Sequence, residues 1–311
     1  MRKRKNFRKK SKERKMNGLR VDVYNNNVDL ALRKFKRKVK NSNLMLDLKE
    51  KQFYTKPSVK RIPFTKDPGT GPRARLGLLV LESDQSIEDE FRLLTKVDGV
   101  AVYHSRLQNE TIITPESLSK MKEQLPLASN LFPKYLNLKV IGYGCTSGST
   151  IIGETMVSDI IGKVHPNVLV TNPMTAAKIA LKALNINCMG LVTPYSPDIT
   201  KSMEINLKNS GFEVKQIGSF FEEDDKIVGK IDQNSILEAT IEIGKNNLCD
   251  GVFISCTNLR ASPIIEKAEA ILNKPVTASN HALAWHMLRL AGINDKISGL
   301  GKLFNLQINN D

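Results

Sequence analysis

From Leu76 onward, short apolar runs alternate with longer stretches in which apolar residues recur every three or four positions. The runs at 76–81 (LGLLVL), 99–104 (GVAVYH), 138–144 (LKVIGYG), 168–171 (VLVT), 188–193 (CMGLVT) and 251–256 (GVFISC) are short, apolar and rich in branched residues. That pattern predicts strands. Helical spacing fills the gaps, as in 114–132 (TPESLSKMKEQLPLASNLF) and 175–185 (TAAKIALKALN). Continuous apolar strands separated by helices predict an α/β protein whose parallel sheets are covered on both faces.

The pattern also repeats. GLLV at 77 is echoed by GLVT at 190, and GYGCTSGS around Cys145 is echoed by FISCTNLR around Cys256, 111 positions later. The echo predicts two pseudo-symmetric, Rossmann-like lobes, roughly 76–171 and 172–280, with a cleft between them and a C-terminal helix returning to the first lobe. Open α/β sheets bind ligands at the carboxyl ends of their strands. Both Cys-Thr pairs sit at such ends, so the two thiols are expected to face each other across the cleft.

Upstream, the pattern changes. Residues 1–15 (MRKRKNFRKKSKERK) have almost nothing to bury and are expected to be disordered. Next, Asn27 is placed to cap a helix carrying Val28, Leu32, Phe35 and Val39 at helical spacing, and 44–54 reads as a second helix that stops before Pro57. The Pro- and Gly-rich TKDPGTGPRA then marks a linker, 67–75, between a segment 1–66 and a body 76–311.

Charge sharpens that division. Residues 1–66 hold 23 Lys+Arg against 5 Asp+Glu, a balance of +18; residues 67–311 hold 24 against 27, a balance of −3. The basic excess of the chain, +15 overall, therefore belongs to the first fifth. Arg33, Lys34, Lys36, Arg37, Lys38 and Lys40 surround the thin apolar stripe of the first helix, and Tyr24, Phe53 and Tyr54 offer stacking faces. Such a segment fits RNA, or else is a solvated basic tail. No apolar run reaches the length of a membrane span and the basic N-terminus lacks the apolar stretch of a secretory signal, so a cytoplasmic protein with no membrane partner is expected.

The four cysteines form no CxxC pair, which argues against a disulfide framework or a zinc knuckle. Cys188 and Cys249 flank strands and read as packing residues. Cys145 and Cys256 are each followed by hydroxyl or amide groups and an expected helix start, where a thiol's pKa falls and backbone N–H groups receive a carboxylate. Thr146, Ser147, Gly148 and Ser149 on one side, with Thr257 and Asn258 on the other, are the candidate substrate-binding residues. Two facing thiols support cofactor-free racemisation, one removing a proton and the other returning it from the opposite face. They equally support isomerisation, in which one thiolate adds to a double bond and the other thiol supplies a proton. No dinucleotide fingerprint or phosphate-binding loop competes, and no cofactor or metal is expected. His281 and His286, five apart beside Trp285, do not share a helix face as metal ligands do at i, i+4, and read as core. His104 is a candidate cleft residue; Arg260 is placed either to bind a carboxylate or to form a salt bridge.

These motifs carry a resemblance that spans most of 75–292. YGCTSGS, LVTPY and SCTNLR resemble the aspartate/glutamate racemase superfamily, and within it the maleate cis-trans isomerase and arylmalonate decarboxylase branch. VLESDQSIEDEFR, YGCTSGSTIIGE and NHALAWHMLRLAG are most similar to its ectoine-utilisation protein A group. The resemblance implies catalytic roles for Cys145 and Cys256 and a substrate contact for Tyr195. Decarboxylase members keep one of the two thiols; this chain has both. Where maleate isomerases carry an Asn in the loop after the first strand, this chain has Asp84, which disfavours a second substrate carboxylate and favours a zwitterion such as an ectoine-type cyclic amidine. Asp84 is equally placed to cap the following helix.

VDVYNNNVDLALRKFKRKVK with FYTKPSVKR resembles the bacterial small-subunit ribosomal protein twenty-one family over 19–61, which implies ribosomal RNA as a partner. A fusion of that segment to a larger body fits either a genuine two-domain protein or two neighbouring reading frames joined. The expectation is a two-cysteine isomerase or racemase acting on a small carboxylate, with an appended RNA-binding segment. Its rivals are a ribosome-associated protein with a catalytically silent body, and a maleate isomerase or decarboxylase. A homo-oligomer is compatible with either.

Overall fold

The computed structural model describes residues 19–42, 44–51 and 62–308. The chain divides into two compact units, Met1–Thr65 and Lys66–Asp311.

In the first unit, α1 (Val28–Asn41) is capped by the Asn27 side chain, which accepts the Leu30 N–H at 3.0 Å. Val28, Leu32 and Phe35 are exposed, and so are all six basic residues from Arg33 to Lys40 singled out above. The second helix, α2, runs Leu44–Lys51. The expectations for residues 1–15, for Phe53 and Tyr54 and for the stop at Pro57 lie outside the described residues.

The second unit carries the sheets. Its first half runs β1 (Ala74–Leu81), α3 (Ile87–Leu94), β2 (Val100–Leu107), α4 (Pro115–Lys120), α5 (Leu125–Asn130), β3 (Val140–Gly144), α6 (Thr146–Ile152), α7 (Glu154–Val164) and β4 (Leu169–Thr171). Its second half runs α8 (Pro173–Ala183), β5 (Cys188–Thr193), α9 (Pro197–Asn209), β6 (Glu213–Ser219), α10 (Asp225–Val228), α11 (Gln233–Gly244), β7 (Gly251–Ile254), α12 (Ile265–Leu272), β8 (Val276–Ala278) and α13 (Ser279–Leu290). The strands form two parallel four-stranded sheets, ordered β2-β1-β3-β4 and β6-β5-β7-β8. The two orders are the same once the second is counted from β5, which is the architecture expected from the echo.

Three differences from the sequence reading have physical reasons. Burial on both faces holds for β1, β3 and β7, but β2 and β6 are edge strands with half-exposed or alternating residues. For that reason β6 (EVKQIGS), alternating and polar, gave no continuous apolar run. The stretch 114–132 is not one helix: a capping box between Thr114 and Ser117 opens α4, a 3₁₀ turn follows at Met121–Glu123, and Pro126 sits in the first turn of α5. Finally, β7 stops at Ile254, so Ser255 and Cys256 lie beyond the strand.

Helix α13 packs against α3, β3 and α8, and its residues 279–289 are all buried. Most of its polar side chains are satisfied internally, the Asn280 Oδ1 being the exception. His281 shares a hydrogen bond with Thr277 (3.0 Å) and its other ring nitrogen meets the Leu300 carbonyl; His286 pairs with Thr171 (2.8 Å). Burial drives both histidines down to about 4, so they are neutral core groups. Trp285 and Arg289 donate to the Leu306 carbonyl, and Arg289 also to those of Ile293 and Phe304, tying the C-terminal tail to the helix.

The two halves are joined at Glu90 of α3. One oxygen accepts the Ser262 N–H (2.7 Å); the other accepts the Ser262 hydroxyl (2.8 Å) and the Asn280 amide (2.7 Å). Glu90 is buried, and desolvation, offset by those donors, raises its carboxyl to about 7. A carboxyl raised on folding binds its proton more tightly in the native state. Its contribution is therefore complete below the unfolded value near 4.5 and is lost as pH rises to about 7. Stability should fall by on the order of 2 kcal/mol across that window, and Glu90→Gln should flatten the decline. Urea midpoints of both proteins at about pH 5 and about pH 8 test this; an unchanged pH slope in the variant would reject Glu90 as its source.

Candidate active site

Strand β3 ends at Gly144 and delivers Cys145 to the N-cap of α6. The Cys145 Sγ accepts the Gly148 N–H at 3.2 Å and lies 3.7 Å from the Ser147 hydroxyl. Glycine is needed at 148: a Cβ there would meet the Tyr143 hydroxyl at 2.5 Å and the Cys145 sulfur at 2.9 Å. Tyr143, fully buried in β3, stands beside Cys145 and donates its hydroxyl to the Met121 sulfur at 3.8 Å.

Cys256 is held differently. It adopts φ +139°, a region that L-residues rarely occupy. Its N–H donates to the Ser279 hydroxyl (3.0 Å), and its Sγ accepts the Asn258 N–H at 3.4 Å. The expected helix start after Cys256 is absent; the chain bends through 257–261 into a 3₁₀ turn at Ser262–Ile264. Tyr195, 1 % exposed, lies beside Cys256 and Ser147. Each thiol thus has a buried tyrosine beside it.

Both thiols line one cavity of about 20 Å³, together with Thr146, Ser147, Tyr195, Thr257 and Asp225. That volume holds little more than one water, so a substrate enters only if the walls part. Residues of 109–121, including Asn109, Glu110, Ile113 and Met121, form the remaining wall. The segment is pinned to the second half by an Ile112–Asp224 bridge, by the Ile113 N–H on the Glu223 carbonyl (2.9 Å) and by the Asp225 N–H on the Thr111 carbonyl (2.9 Å).

Several expected substrate ligands turn out to be scaffold. Ser149 donates its hydroxyl to the Cys145 carbonyl (2.6 Å), a bond back along the helix, and does not line the cavity. The Gly148 N–H serves the Cys145 sulfur. Asn258 is fully engaged: its amide donates to Asp225 and its carbonyl oxygen accepts from Gln85 and Ser86. Asp84 caps α3, Oδ1 accepting the N–H groups of Ser86 (2.8 Å) and Ile87 (2.9 Å), while its buried Oδ2 has no partner. Desolvation raises the Asp84 carboxyl to about 6.

The remaining candidates lie elsewhere. His104 is exposed on β2, away from the cavity. Arg260 forms neither a carboxylate contact nor a salt bridge; it donates to the Ile231 carbonyl at 3.0 Å. Cys249 is buried and Cys188 half-buried, both outside the cavity. Among the described residues, no three His, Cys, Asp or Glu side chains cluster as a metal site.

Sequence reasoning missed Tyr143, Ser279 and Asp225. Tyr143 reads as one more apolar strand residue, and Asp225 sits in the acidic run FFEEDDK, which reads as solvated surface. The Ser279 hydroxyl accepts from Thr146 (2.8 Å) and from the Cys256 N–H, linking the two cysteine loops. The expected lowering of the thiol pKa values is also reversed. Burial pushes Cys145 up to about 11 against the opposing donors Gly148, Ser147 and Tyr143. Burial and then the charge of Asp225 push Cys256 higher still.

Comparison with known proteins accords with this geometry. Residues 20–62 match the family model for ribosomal protein S21; the segment is 44 % identical over 43 residues to the small ribosomal subunit protein bS21 of Magnetococcus marinus, spanning 64 % of that protein. A maleate isomerase of Nocardia farcinica is 25 % identical over 243 residues, 74 % of this chain and 94 % of that protein. A crystal structure of a maleate isomerase from Pseudomonas putida S16 superposes with a TM-score of 0.67 at 20 % identity, covering 74 % of this chain and 98 % of the other. A liganded mutant of arylmalonate decarboxylase gives 0.68 at 21 % identity, covering 75 % and 99 %. Residues 131–304 match the family model for arylmalonate decarboxylase, and the chain belongs to that family.

Proposed function

We propose that this protein is a cofactor-independent, two-cysteine isomerase or racemase acting on a small carboxylate, and that its basic N-terminal unit binds RNA. The observation that carries the enzymatic reading is that Cys145 and Cys256, from corresponding loops of two sheets, line one small cavity, each beside a buried tyrosine.

The roles divide by environment. Cys145 is the easier of the two to ionise, because the Gly148 N–H and the Ser147 hydroxyl stabilise its thiolate and the charge of Asp225 bears more on Cys256. Cys256 holds its proton and is the acid. In racemisation the Cys145 thiolate takes a proton from the carbon beside the carboxylate, the C–H electron pair passes into that carboxylate, and Cys256 returns a proton to the opposite face. In isomerisation the Cys145 sulfur bonds to one carbon of a double bond and the π pair takes the Cys256 proton at the other. Rotation follows, then loss of a proton to Cys256 and cleavage of the C–S bond. The hydroxyls of Ser147 and Tyr195 are available to hold the substrate carboxylate, whereas those of Thr146 and Thr257 already donate to Ser279 and to the Gly144 carbonyl. A Nocardia farcinica maleate cis-trans isomerase, 24 % identical, has been crystallised as a cysteine-to-serine mutant with a covalently bound succinylcysteine intermediate, which lends support to the covalent route. Decarboxylation needs only one proton-donating thiol, and the paired thiols favour the two-thiol reactions. The resemblance to ectoine-utilisation proteins makes an ectoine-type zwitterion the first substrate to try.

Solvent deuterium should enter a turned-over substrate in a panel of ectoine, maleate and acidic amino acids. Cys145→Ser and Cys256→Ser should each lower kcat/KM by about 10²–10⁴. A single variant that keeps more than about a tenth of wild-type activity would rule out the two-thiol mechanism.

The RNA reading is supported by the match to ribosomal protein S21 and by six exposed cations on α1. If these six contact phosphates, log K against log salt should have a slope of about −4 for single-stranded RNA. A chain lacking residues 1–65 should lose this binding and retain activity. Persistence of salt-dependent RNA binding in the truncated chain would overturn the assignment.

A further inference from the structure

The cavity that holds the thiols contains no cation. Among the described residues lining it there is no lysine, arginine or histidine, but there are two carboxylates, Glu110 and Asp225. Glu110 is largely exposed and pairs with Lys120 at 3.0 Å, so it is neutralised at the surface. Asp225 is 4 % exposed, and its partners are neutral: Ser83 donates a hydroxyl to Oδ2 and Asn258 an amide to Oδ1 (3.0 Å). A second buried carboxylate, Asp84, leaves one oxygen without any partner.

For a thiol enzyme this arrangement is self-defeating. A buried anion with no counter-ion is unfavourable, and beside two thiols it opposes the ionisation that nucleophilic or basic catalysis requires. The charge of Asp225 contributes to the upward shift of both Cys145 and Cys256. Of the other ionisable groups around the site, Asp84, Asp224, Tyr143 and Tyr195 are acids as well, and the guanidinium of Arg106 is committed to the Leu81, Glu82 and Asp84 carbonyls and to Glu88. Desolvation raises the Asp225 carboxyl itself, and a positive group brought by the ligand would hold it ionised.

We infer that Asp225 is the specificity-determining residue of this site and receives a cationic nitrogen of the substrate, so that the enzyme acts on carboxylates bearing an ammonium or amidinium group. The inference rests on the two-thiol reading above and adds a consequence to it. Pairing of the substrate cation with Asp225 removes the charge that holds the thiols protonated. Cys145 then ionises when a zwitterion is bound and stays a thiol otherwise. A dicarboxylate instead adds negative charge to a cavity that already has an excess. Asp225 is well placed for this role: its backbone N–H is fixed to the Thr111 carbonyl across the cavity wall, and Ser83 and Asn258 fix its oxygens.

The test reads the thiol directly and needs no turnover, so its outcome is separate from that of the exchange assay. The full-length protein is titrated through its ultraviolet thiolate band with acetamidinium chloride, a minimal amidinium, or with sodium chloride at equal ionic strength. Cys145→Ser serves as the blank that assigns the band. Acetamidinium should raise the Cys145 thiolate fraction about tenfold at fixed pH, a shift of about one pKa unit. In Asp225→Asn the thiolate should be more abundant without any cation, and acetamidinium should add nothing. Asp225→Ser, equally uncharged, repeats the comparison if the amide does not fold. An acetamidinium effect of equal size in wild type and the uncharged variant, or none in wild type, overturns the proposal.

Discussion

The site depends on holding two thiols, delivered by two separate sheets, against one small volume. Neither sheet can do this alone, because each supplies only one Cys-Thr loop. The hydroxyl of Ser279 is the shared acceptor: it takes a hydrogen bond from Thr146, next to Cys145, and from the backbone N–H of Cys256. Around it, Thr257 donates to the Gly144 carbonyl, Ser86 to the Asn258 carbonyl, and Glu90 gathers Ser262 and Asn280. Every one of these bonds crosses between the halves or anchors α13, the helix that lies against both. The burial of α13 from Ser279 to Arg289 follows from that position, and so does its load of buried polar groups, most of them satisfied within the protein.

Burial that fixes the geometry also suppresses the chemistry. Water excluded from a cavity this small strengthens every electrostatic interaction inside it, including those that keep Cys145 and Cys256 protonated. The donors around Cys145 recover part of the loss, but burial remains the larger effect. On the two-thiol proposal, a reactive thiolate is produced by positive charge that enters with the substrate. The resting enzyme is then protected, since thiols that stay protonated are poor targets for oxidation.

Much of this was legible in the sequence. Six of the eight strands announce themselves as apolar runs, and the Cys-Thr echo locates both thiols and predicts the doubled sheet. The strands that escaped are an alternating edge strand, β6, and the three-residue β8, both too polar or too short for a periodicity to register. At the site, residue type alone misassigned roles. Ser149, Gly148 and Asn258 looked like ligand donors because they follow the cysteines, yet local geometry commits their polar groups to the scaffold. Asp225 was hidden for the opposite reason: an acidic run reads as surface until tertiary contacts bury one member of it. Asp84 shows both outcomes in one side chain, with a capping oxygen that the sequence could suggest and an unpartnered oxygen that only packing creates.

The pseudo-symmetry is broken where the chemistry needs it to be. Cys145 sits in ordinary extended backbone at φ −151° and caps α6, so its sulfur lies over an N–H that favours a thiolate. Cys256 occupies φ +139° with no helix behind it, and the strain of that conformation is held by the Ser279 hydroxyl and the engaged Asn258 loop. Two equivalent thiols in one small cavity would compete for a single proton and leave the direction of catalysis undefined. Burial raises both thiols, and the charge of Asp225 bears more heavily on Cys256, so Cys145 holds its proton the more weakly. On the proposed mechanism an acid and a base are thus made from the same side chain, and the doubled fold supplies the opposed faces between which a proton is moved.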